Sequence, residues 1–97
     1  MIIRIGGQRW TIERVDELDG KAEGECRRLS NQIRVQKTNH DHERDTLLHE
    51  LIHAALAVTG VTNDLDDKEE ERIVRAITPV LNDILDWKIA KHVMVHK

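Results

Sequence analysis

Two hydrophobic rhythms divide the chain. Up to about residue 37 the apolar positions come in short runs with a period near two, the spacing of half-buried strands. Beyond that point they recur every three or four residues, the spacing of helices. Ile2-Ile3-Arg4-Ile5 and Arg9 to Val15 read as strands, and the intervening Gly6-Gly7-Gln8 predicts a hairpin turn. On the second strand Trp10, Ile12 and Arg14 share one face, while Thr11, Glu13 and Val15 share the other. Trp10 is expected in the core. Asp16 to Gly24 is polar, carries Gly20 and Gly24, and reads as a loop. Glu25 to Arg28 and Gln32 to Lys37 predict a second hairpin turned at Ser30-Asn31, with Ile33 and Val35 alternating against Arg34 and Gln36. Cys26 falls in its first strand.

Thr38 to His42 reads as a connection that supplies capping candidates in Thr38, Asn39 and Asp41. Thr46 to Val58 predicts a helix, closed by Gly60 at the position where helices favour a left-handed residue. Thr62 or Asn63 is expected to cap the next helix. Its opening acids, Asp64 to Glu71, suit the positive end of a helix dipole. Ile73, Val74, Ile77, Val80, Leu81, Ile84 and Leu85 form its apolar face. Pro79 either kinks this helix or, with Thr78 as cap, starts a third. Ala90 to Lys97 is expected to fray. Strands followed by helices specify an α+β domain spanning 1–97. A small antiparallel or mixed sheet from the first half packs on a helix and a following helix or helix pair.

Composition narrows the function. The chain has 97 residues and a net charge of −3, with two Trp and neither Phe nor Tyr. A core of this size rests on Ile, Leu, Val and Ala, and a bound metal would add stability to it. No basic stripe with interleaved aromatics is present, so a nucleic-acid surface is not expected. Cys26 is the only cysteine, which excludes an internal disulfide and suits a reducing compartment. No signal-like apolar stretch opens the sequence and no segment reaches membrane-spanning length, so a cytoplasmic location is expected.

The chemistry lies in His49-Glu50-Leu51-Ile52-His53. On a helix, residues four apart share a face, so His49 and His53 can each give a ring nitrogen to one zinc ion. Glu50 stands where its carboxylate reaches a water on that metal, as a general base must. A catalytic zinc takes three protein ligands. The metzincin extension would need Gly at 56 and His at 59; Leu56 and Thr59 exclude it. A carboxylate from the next helix remains. At about 100° per residue, Glu70 falls near the centre of the apolar face, with Glu69 and Glu71 roughly 90° or more to either side. A carboxylate on a buried face needs a partner, and a metal is one. Glu70 is therefore the expected third ligand, with Glu71 the alternative.

Thr46 to Leu56, followed by Glu70-Glu71-Arg72-Ile73-Val74, resembles the zincin metallopeptidases that use a glutamate as third ligand. It is similar in particular to the short, often phage- or prophage-encoded proteins near the ImmA/IrrE-type and SprT-like peptidases. The likeness covers about residues 2 to 85. It implies a zinc-dependent endopeptidase, with zinc held by His49, His53 and Glu70 and with Glu50 as base. It further implies that Gln32 to Lys37 is a sheet edge holding a peptide or protein substrate in extended form. The chain departs from the pattern in lacking Tyr, a common oxyanion stabiliser in such enzymes. That role would fall to zinc, an arginine or a histidine, with His40, His42, His92 and His96 candidates by type. A non-catalytic or latent metal-binding interaction module is the alternative. A metal-free interaction protein would require the histidine pair to be accidental.

Overall fold

Gly6 and Gly7, at φ +56° and +78°, turn the chain in the left-handed region that a tight two-residue hairpin demands. They join β1 (Ile2–Ile5) to β2 (Gln8–Val15), antiparallel with Ile3 opposite Trp10. The computed structural model describes residues 1–85. His92, His96 and the expected fraying of Ala90 to Lys97 lie outside the described residues. After β2 a polar loop crosses the sheet, tied down where the Leu18 amide donates to Gln36 Oε1 (3.0 Å). β3 (Gly24–Arg27) then pairs antiparallel with β4 (Gln32–Gln36). β4 inserts between β3 and β2 and runs parallel to β2, from Thr11 opposite Gln32 to Val15 opposite Gln36. The order is β1-β2-β4-β3, a mixed sheet.

This topology corrects one expectation. The strand before the helix that carries His49 and His53, β4, is hydrogen-bonded on both sides and is not an edge; β3 is. β4 obeys the alternation: Ile33 and Val35 are buried, and Gln32, Arg34 and Gln36 are half-buried. Trp10, Ile33, Val35 and Ala54 form the core, with Ile3, Ile5, Ile12, Cys26, Leu47, Leu51 and Val58 packed around it.

The helix that covers the core, α1 (His40–Val58), starts earlier than its apolar rhythm suggests. Asn39 caps it by accepting a hydrogen bond from the His42 amide (2.9 Å), so the polar first turn is helical too. Gly60 at φ +81° ends it as expected. A short 3₁₀ turn (Val61–Asp64) contains Thr62 and Asn63, and neither caps α2 (Asp67–Ile84). Asp66 does: its side chain accepts from the Glu69 amide (2.8 Å), and Glu69 closes a capping box. α2 runs through Pro79 without a break, so there is no third helix among the described residues. Thr78 Oγ1 donates to the Val74 carbonyl (2.6 Å) just before the proline.

The buried face of α2 also differs from its apolar stripe. Glu70, Val74 and Thr78 are the buried positions, whereas Ile77, Val80, Ile84 and Leu85 are exposed. Polar contacts set this phase. Arg44 of α1 donates from Nε and a terminal nitrogen to Asn82 Oδ1 (3.0 and 2.7 Å), and Asn82 Nδ2 donates to Asp45 Oδ1 (2.5 Å). The two helices run antiparallel, so the start of α2 lies against the middle of α1. No described helix is long and apolar enough to cross a membrane.

Candidate metal centre

One and a little more turns of α1 bring His49 and His53 side by side, their ring centroids 5.0 Å apart. Glu71, in the first turns of α2, bridges them. Its Oε1 is 2.9 Å from His49 Nε2, and its Oε2 is 3.1 Å from His53 Nε2. The three groups present ligand atoms within 4.8 Å of one another. Donors at about 2.1 Å around a tetrahedral ion stand roughly 3.4 Å apart, so the two carboxylate–imidazole contacts would each open by a few tenths of an ångström around one. Two imidazoles and one carboxylate are a donor set suited to a divalent transition metal.

Burial, which favours the neutral ring, holds the His49 imidazole below its ordinary value against the opposing pull of the Glu71 charge. Burial pushes the Glu71 carboxyl upward, but the charges of His49 and His53 outweigh it and keep Glu71 below the usual range.

Glu70 sits where the helical phase predicts, 4% exposed, yet its partners are different. Its Oε2 lies 2.5 Å from His53 Nδ1, on the far side of the ring from Glu71. The Arg28 guanidinium donates to the same oxygen. The group that brings three possible ligand atoms together takes Glu71, the alternative, rather than the expected Glu70. Buried charge did need a partner, but Arg28 and the back of His53 supply it. Burial would raise the Glu70 carboxyl; the His53 hydrogen bond and the Arg28 charge overcome this and lower it.

Glu50 points from α1 into the same space, 8% exposed. Burial pushes its carboxyl up to about 7, with the charges of Glu71 and Glu25 adding and that of His53 opposing. A carboxyl near neutrality is matched to general acid–base work. It lines a cavity of about 560 Å³ with His49, Glu71, Gly24, Arg75 and Asn82. Gly24 permits the close approach of β3 to α1: an added Cβ would stand 3.0 Å from Glu50 Oε2.

The oxyanion candidates sort themselves by position. His40 and His42 lie in the first turn of α1 and do not line this cavity; His42 Nε2 meets Glu23 Oε2 instead (2.7 Å). Arg75 does line it, and donates from Nε to Glu71 Oε1 (3.1 Å). Its i,i+4 spacing from Glu71 was readable in the sequence. Arg28 and Gly24 gave no such signal, because their relevance depends on where the β3–β4 hairpin docks. No protein-family model, no curated protein and no solved structure matches this chain.

Proposed function

We propose that the chain is a zinc-dependent metallopeptidase. The observation that carries the reading is the convergence of His49, His53 and Glu71 beside the buried carboxyl of Glu50. When bound there, zinc would supply Lewis acidity, lowering the pKa of water and polarising a carbonyl. Glu50 would take the proton of the attacking water and return it to the leaving amine. Arg75 would face the developing negative charge from the cavity wall.

The edge of the sheet supports a peptide substrate. The Gln36 amide donates to the Glu23 carbonyl (2.9 Å), so antiparallel alternation turns the backbone groups of Gly24 and Cys26 outward from β4. An extended peptide could pair with these groups next to Glu50. The family resemblance to glutamate-type zincins agrees with this reading, with Glu71 in the ligand's place.

A second reading, a metal-binding interaction module without turnover, draws on the exposed Ile77, Val80, Ile84 and Leu85 of α2. Metal analysis, anomalous scattering at the zinc edge and cleavage of an unfolded protein pool separate the two. Glu50→Gln is expected to keep one zinc per chain and to lower cleavage at least about 100-fold. Zinc without cleavage in the parent chain selects the module, and cleavage unchanged by Glu50→Gln refutes the peptidase.

A further inference from the structure

We infer that Arg28 is a positioning residue for the metal centre, acting through Glu70 on His53. The inference rests on His53 being a ligand through Nε2. Such a ring must carry its proton on Nδ1 and hold a fixed tilt. Glu70 Oε2, 2.5 Å from Nδ1, accepts that proton's hydrogen bond. The carboxylate is itself 4% exposed and has one more charged partner, the guanidinium of Arg28.

Arg28 follows β3, in the β3–β4 connection, 42 residues from Glu70 in sequence. The ligand ring is therefore braced from two directions: α1 carries it, and the sheet edge fixes its back through Arg28 and Glu70. Removing the guanidinium leaves Glu70 with His53 as its one charged partner beside the Thr62 hydroxyl, so the acceptor behind His53 is held less firmly. The Arg28 side chain is 38% exposed and outside the apolar core, so its loss leaves the packing of Trp10, Ile33 and Val35 intact.

Competition with a chromogenic zinc chelator tests this, beside melting curves of the metal-free protein. Arg28→Met, which keeps the apolar stem, is expected to bind zinc about 10- to 100-fold more weakly while the metal-free protein melts within a few degrees of the parent. Arg28→Lys, keeping the charge without the fork, is expected to recover part of the affinity. It also supplies the measurement should the Met variant fail to fold. Glu70→Gln is expected to retain weakened zinc binding, and Glu71→Gln to lose it. Parent-like affinity in both Arg28 variants overturns the inference, as does retention of zinc by Glu71→Gln with loss in Glu70→Gln. A parent chain that binds zinc but cleaves nothing overturns only the proposed peptidase activity. A parent chain that binds no zinc overturns both.

Discussion

Replacing Gly24 with alanine adds a single methyl group where β3 meets α1. The new Cβ would lie 2.6 Å from Thr46 Cγ2, 3.0 Å from Glu50 Oε2 and 3.2 Å from Glu50 Cγ. Carbon atoms pack at about 3.5–4.0 Å, so Thr46 or the strand must give way by roughly 1 Å. Both neighbours are side chains of α1, one of them the β-branched and stiff Thr46. Overpacking of this kind costs about 1–3 kcal/mol, and the stiffer unfolded chain returns about 0.4–1 kcal/mol. The net loss is about 1–2 kcal/mol, which lowers the melting temperature of a chain this size by roughly 4–16 °C. Thr46→Ser removes Cγ2 and is expected to recover most of that loss in the double variant, a coupling that a thermal double-mutant cycle reads directly. Under the proposed function, cleavage is expected to stay down about 100-fold even then, because the added Cβ still crowds the Glu50 carboxylate. A Gly24→Ala chain as stable as its parent, or a loss that Thr46→Ser leaves untouched, would refute the placement of β3 against α1.

The remaining expectations are simpler. Zinc at about a thousandfold excess over its Kd should add about 4 kcal/mol to stability, reversed by a chelator and followed by the melting temperature. Cys26, pushed up to about 11 mainly by burial and further by the Glu50 charge, should alkylate slowly at pH 8. Its rate should rise about tenfold per pH unit until near that value, and a plateau below pH 9.5 contradicts it. Because the unfolded thiol ionises first, this group lowers stability as pH climbs above about 9. Asn39→Ala removes the cap of α1 and should cost about 1 kcal/mol in denaturant melts, with no change in zinc stoichiometry.

Local rules carried the sequence reading a long way. Both hairpins, the Gly60 stop and the paired imidazoles of His49 and His53 follow from periodicity and turn chemistry. The interior place of β4 does not, because its parallel partner β2 is chosen only after the loop from Asp16 to Glu23 has crossed the sheet. Helical phase located Glu70 as the most buried acid of α2 but could not name its partner, since Arg28 arrives from a distant hairpin. The phase of the apolar stripe misled for a related reason. Asn82 locks α2 to Arg44 and Asp45, and these polar bonds outvote Ile77 and Val80 in choosing which side faces inward.

The open side of β3 has a consequence for the behaviour of the protein at high concentration. Any strand with unsatisfied amides invites another copy of itself. Here the invitation is short, four residues, and it carries charge at Glu25 and Arg27. Those features discourage fibrillar stacking at this edge, so the same few residues that leave the strand unpaired also limit its self-association.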